Sequence, residues 1–318
     1  MKRALILLTI AFSGIFISGW GFFAHKKINR LAVFTLPPEM IGFYKRNINY
    51  ITDKAVNPDM RRYIIKEEAP RHYIDLDEYG DSAIHNLPRY WSKAVEEFTI
   101  DTLNAYGIVP WHVNLVKYQL TQAFLKQDKD RILRYSADLG HYIADANVPL
   151  HTTSNYNGQQ TNQVGIHGFW ESRLPELFFG NYDLLTGRAE YVENTQLAAW
   201  RAVEGANMAL DSVLQFEKEL SEKFPESKKY SFEERGASTL RVYSYEFSEA
   251  YHDKLDGMVE RQMKRAIRML GNFWYTAWVD GGQPDLNQWM EIEMVEDSTT
   301  NLNRDIHVRN HESGESLP

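Results

Sequence analysis

The chain has 318 residues and is 43% hydrophobic, 13% aromatic and 25% charged, which is enough apolar material for a sizeable core in one large domain or two small ones. Its mean hydropathy of -0.47 excludes a polytopic membrane protein, and its zero cysteines exclude a disulfide framework, a Cys-ligated zinc finger, an iron–sulfur cluster and a cysteine nucleophile. The net charge of -8 carries no basic stripe, so a polyanionic substrate would be held by local chemistry rather than by the field of the whole molecule.

Residues 1–19 read as a signal peptide. Lys2 and Arg3 precede an apolar run, Ala4–Ile17, that is too short for the ~20 residues of a membrane span. Small residues at Ser18 and Gly19 place cleavage before Trp20. The expectation is a periplasmic or secreted protein with no stable membrane span after cleavage.

From Trp20 the pattern is helical. Ile28, Leu31, Ala32 and Leu36 keep a helical apolar spacing until Pro37-Pro38. Further apolar-periodic stretches cover 113–125, 130–147, 197–223 and 255–279. Alternating strand patterns are scarce and no internal repeat is present. Beyond Gly281-Gly282 the composition turns polar and acidic. The expected architecture is all-α, a single multi-helix domain over 20–282 with a disordered tail over 283–318.

The histidines are the informative residues. His141 and Asp145 are four apart, so both project from one face of a helix. His151 follows across Pro149, and His167 with Glu171 repeats the spacing at the start of another short helix. Upstream lie His25 and His72. One such pair is an ordinary surface pair, but two within 31 residues with His151 between them predict a metal cluster. Imidazole and carboxylate oxygen are the ligands zinc accepts when thiolate is absent.

Trp20-Gly21-x-x-x-His25, Asp59, His72, His141-x-x-x-Asp145-x5-His151 and His167-x-x-x-Glu171 together resemble the trinuclear zinc site of the phospholipase C and P1/S1 nuclease superfamily. The resemblance covers residues 20–171 by motif and implies that family's all-α fold. It implies one Zn2+ held by Asp59, His72, His141 and Asp145, and a second held by His151, His167 and Glu171. A third would take His25, an oxygen of Asp145, and the α-amino and carbonyl groups of Trp20, the amino group existing only after cleavage. Asp59 is preferred over the nearby Asp53 because Arg61 and Arg62 follow it, and it is either a ligand alone or also the catalytic proton acceptor. Asp75 and Asp77 are read either as acceptors for ligand imidazole N–H groups or as exposed loop acids. His85, His112, His252, His307 and His311 are read as structural or surface residues.

The implied reaction is hydrolysis of a phosphate ester by a hydroxide shared between zinc ions. Two substrates stay open. Glu171 and the short interval between His151 and His167 favour a phospholipid head group. The Trp20–His25 spacing and His72-Tyr73-Ile74-Asp75 favour a nuclease that cleaves single-stranded nucleic acid to 5′-mononucleotides. A non-catalytic periplasmic zinc-binding protein and an HD-type phosphohydrolase built on His252-Asp253 are the remaining readings. No protein partner is implied.

Overall fold

A computed structural model describes residues 22–235 and 238–289. Within them the chain is mostly helical, with one two-stranded sheet. The first helix, Phe22–Ala32, passes into a short 3-10 turn, and the Pro37-Pro38 break is the start of the next helix, Pro38–Arg46. Proline suits that first turn because its missing N–H has no helical partner to lose.

The longer predicted helices become Val109–Leu125, Lys129–Asp145, Thr195–Lys223 and Met258–Asp280. Two of them start at side-chain caps. Asp128 accepts the Arg131 N–H at 3.1 Å, and Asn194 accepts the Leu197 N–H at 2.9 Å.

The Lys129–Asp145 helix lies at the centre, packed by Val109–Leu125, Phe22–Ala32 and Met258–Asp280. From Ser136 to Asp145 every residue is buried, including Asp138, His141 and Asp145. A helix end buried on all sides must satisfy each of its polar groups internally. Gly140 sets how closely its neighbour approaches, since a Cβ there would lie 1.8 Å from Asn29 Oδ1. Asn29 uses that closeness to donate to the carbonyls of Ala137 (3.0 Å) and Ile51 (3.1 Å). His25, one turn before Asn29, is thereby laid on His141, their rings stacked at 4.1 Å.

Two features depart from the sequence pattern. Tyr230–Arg235 (β1) and Ser238–Tyr243 (β2) form an antiparallel hairpin, with Tyr230 opposite Tyr243. Its alternation is concealed because Phe232 faces water and two glutamates follow. Packed chain also continues past Gly282. Leu286 is buried, the Trp278 indole donates to the Pro284 carbonyl at 3.0 Å, and Trp289 packs on Phe43. The packed body therefore reaches residue 289, and 290–318 lie outside the described residues, as does the predicted signal segment. Among the described residues no helix is long and apolar enough to cross a membrane.

Candidate metal centre

Eight of the nine predicted residues come together in three groups whose donor atoms converge. They are Asp59 with His72 and His141, His25 with His141 and Asp145, and His151 with His167 and Glu171. The ninth, Trp20, lies outside the described residues.

Each side chain is delivered by an identifiable piece of structure. His25 stands in the first turn of Phe22–Ala32 and Asp59 on the short helix Asn57–Arg61. His72 closes the 3-10 helix Lys66–His72, and His151 lies on another, Pro149–Thr152. His141 and Asp145 share the last turn of the central helix, as their spacing requires. His167 lies on the single turn Ile166–Gly168, and Glu171 on the π-helix Phe169–Arg173 that follows it. Wide π turns recur where a side chain must be re-aimed. The hairpin braces this one, through Tyr243 stacked on Phe169 at 3.8 Å and Glu233 paired with Arg173 at 3.0 Å.

Asp145 joins the first group as a fourth donor. His72 Nδ1 lies 3.0 Å from His141 Nε2 and 2.9 Å from Asp145 Oδ2. His141 Nε2 lies 3.2 Å from the same oxygen. Asp59 Oδ1 completes the figure at 3.9 Å from His72 and 3.7 Å from His141. Donors at about 2.0–2.2 Å around a tetrahedral ion are about 3.3–3.6 Å from one another, the middle of that range. Asp53 takes no part, because it pairs with Lys26 at 3.1 Å on the exposed surface.

In the group of His151, His167 and Glu171, His167 Nε2 lies 2.7 Å from Glu171 Oε2, and His151 Nε2 lies 2.9 Å from His167 and 3.4 Å from Glu171. The carboxylates also link the groups. Asp145 turns Oδ1 towards His25 Nε2 at 3.5 Å, and Glu171 turns Oε1 to the same nitrogen at 3.1 Å. The sequence pattern assigns Glu171 to the group of His151 and His167 alone; its second oxygen facing His25 is a tertiary fact.

The imidazole tautomers decide what these atoms can do. His141 directs Nδ1 to the Ala55 carbonyl at 2.9 Å, and His151 directs Nδ1 to the His72 carbonyl at 2.6 Å. A carbonyl can only accept, so both Nδ1 atoms carry hydrogen and both Nε2 atoms of the neutral rings are lone pairs pointing at carboxylates. Acceptors facing acceptors in a buried layer require a proton or a cation between them. Without a cation the proton is retained. Burial opposes the charge on His141, but Asp145 and Asp59 outweigh it and raise the imidazole to about 9. Burial likewise opposes charge on His151, and Asp145 and Glu171 raise it to about 9. Burial raises Asp145 as well, yet His141 and His151 beside it hold its carboxyl well below the usual carboxylate range. These buried His, Asp and Glu groups could hold metal ions.

Neither Asp75 nor Asp77 accepts an imidazole N–H; that role falls to the two backbone carbonyls. Asp77 instead accepts from Ser154 N–H at 2.8 Å and Thr153 Oγ1 at 3.1 Å, holding the loop after His151. Burial beside Asp77 and Glu78 raises Asp75 to about 7. His252 packs with Tyr182 and Phe178 and belongs to none of the three groups.

Behind the centre lies a charged layer absent from the sequence reading. Glu68, fully buried, accepts from Arg71 at 2.6 Å, from Arg61 at 3.3 Å and from the Tyr142 hydroxyl. Arg61 also donates to Asp138 at 3.2 Å. A signal was present, since Asp138, His141, Tyr142 and Asp145 fall at helical face spacing. No protein-family model matches the chain, and no curated protein matches it.

Proposed function

We propose that this protein is an exported zinc-dependent phosphodiester hydrolase, acting on phospholipid head groups in the manner of the phospholipase C and P1/S1 nuclease superfamily. The observation that carries the reading is the convergence of five imidazoles and three carboxylates in one buried layer, with the opening at Asp59 and His167. Those two side chains are 24% and 25% exposed, whereas the other members are almost fully covered.

Zinc held by such donors supplies Lewis acidity, bringing water's pKa towards neutrality and drawing charge from a phosphoryl oxygen. The chain's own residues supply the rest. The carbonyls of Ala55 and His72 fix His141 and His151 in the tautomer that leaves Nε2 free. Asp145 and Glu171 each divide their two oxygens between groups, which keeps neighbouring donor sets at a fixed separation. Asp59 faces His72 and His141 through Oδ1 and is 24% exposed, so its carboxylate is the one in reach of a proton from the attacking water. Arg62, 3.5 Å from Asp59 and partly exposed, places a guanidinium at the same edge, where a phosphate oxygen can meet it. A head-group substrate is favoured by Glu171 and the short interval between His151 and His167.

A 31P NMR time course tests this on zinc-supplied protein beginning at Trp20, offered phosphatidylcholine micelles and single-stranded oligonucleotide together. Phosphocholine is the expected product. Nucleoside 5′-monophosphates would transfer the substrate assignment to nucleic acid, and the absence of both products would remove the hydrolase reading.

A further inference from the structure

The residues after Asp59 present apolar side chains to water. In Met60-Arg61-Arg62-Tyr63-Ile64-Ile65, Met60 is 53% exposed, Tyr63 70%, Ile64 86% and Ile65 38%. Isolated exposed hydrophobic residues are ordinary, but four within six positions make a contiguous patch of the kind that marks an interaction surface.

The patch is rigidly carried. Arg61 ends the Asn57–Arg61 helix and turns its guanidinium inward to Asp138, Glu68 and Tyr142. Its carbonyl accepts the N–H groups of Ile64 at 2.9 Å and Ile65 at 2.8 Å, closing a turn. With Arg61 anchored inside, Tyr63 and Ile64 are directed out. On the other side of the opening, the Tyr156 ring lies 5.9 Å from the His167 ring, with Tyr156 51% and nearby Val164 66% exposed. The open edge of the polar centre is thus flanked by two apolar edges, and Arg62 and Lys66 place cations on the first.

We propose that the Tyr63–Ile65 turn is an interfacial docking tip that seats the protein on a phospholipid surface, with Tyr156 and Val164 as the opposing edge. The proposal rests on the phosphodiesterase reading above. Ile64 and Ile65 enter the boundary between head groups and acyl chains, Tyr63 sits at head-group level, and Arg62 and Lys66 reach lipid phosphates. The adjoining Asp59 then lies at the depth of the ester phosphates. Tyr63 and Tyr156 could stack on a base, but the most exposed member, Ile64, and its neighbours Met60 and Ile65 offer no stacking face and suit an acyl boundary instead.

Flotation with phosphatidylcholine vesicles, with and without phosphatidylglycerol, tests the tip. The zinc-loaded protein is compared with Ile64→Ser and with the double variant Tyr63→Ser, Ile64→Ser. Each substitution is expected to weaken vesicle partitioning about tenfold, and the pair about a hundredfold. Hydrolysis of a short-chain phosphatidylcholine kept monomeric should stay within about twofold of wild type, since neither residue is placed in the centre. Equal flotation of wild type and variants, or no flotation of wild type, would overturn the proposal. Flotation lost in the variants of a protein that cleaves no phosphodiester would keep the tip and remove the hydrolase reading. Full hydrolysis without flotation would do the reverse.

Discussion

The His151 imidazole donates Nδ1–H to the backbone carbonyl of His72 at 2.6 Å, and two residues on, the Ile74 N–H returns a bond to the His151 carbonyl at 2.9 Å. The exchange ties residues 72–74 to the 3-10 helix Pro149–Thr152. It also makes the tautomer of a donor in one group depend on the backbone of a donor in another, while the His72 ring faces Asp145. Positioning of the separate groups is therefore one structural event.

Removing metal should destabilise the whole domain rather than a loop. At free zinc a thousandfold above Kd, binding adds about 4 kcal/mol. For a domain of this size that corresponds to roughly 8–16 °C in Tm. Calorimetry with and without chelator measures it, and an unchanged Tm would mean that the converging donors hold no ion.

Asp145→Asn keeps shape and removes charge from the one carboxylate that faces His72, His141 and His25. Zinc content measured by atomic emission should fall by two ions per chain, with hydrolysis reduced by at least about a hundredfold. Full zinc content with retained turnover would refute the assignment.

Asp59→Asn and Asp53→Asn form a matched pair. Asp59 converges with His72 and His141, whereas Asp53 meets Lys26 in solvent. The first substitution should cut turnover by roughly a hundredfold or more. The second should alter stability by less than about 1 kcal/mol and leave turnover intact. Equal effects on turnover would show that Asp59 has no special role.

His112 predicts an acid response. Burial, reinforced by the charges of Arg71, His72 and Arg61, lowers its pKa from 6.5 to about 3. A folded-state pKa below the unfolded value means that this stability is present above pH 6.5 and is lost as pH falls towards 3. His112→Phe keeps an aromatic ring against Tyr142, 4.5 Å away in the wild type, and removes the titration. In urea melts between pH 6 and 4, the variant should lose about 1.4 kcal/mol less than wild type per pH unit. Parallel pH profiles would contradict a neutral buried imidazole.

The sequence by itself determined what is local. Helical periodicity located the long helices, and a spacing of four placed His141 with Asp145 and His167 with Glu171, because one turn of helix fixes that geometry whatever surrounds it. The tertiary structure decided what is distant. His25 meets Glu171 across 146 residues and His72 meets Asp145 across 73, contacts between separate elements that no local spacing fixes. Asp59 is preferred over Asp53 in sequence from the arginines that follow it, but only the path of the chain puts it beside His141, and the same path decides the buried Glu68 and Arg61 behind the centre and the packing of Leu286 beyond an apparently polar boundary. The outward Tyr63–Ile65 turn has the same origin. An apolar side chain reads alike in sequence whether it is buried or exposed, and here the inward anchoring of Arg61 is what leaves Tyr63 and Ile64 in water.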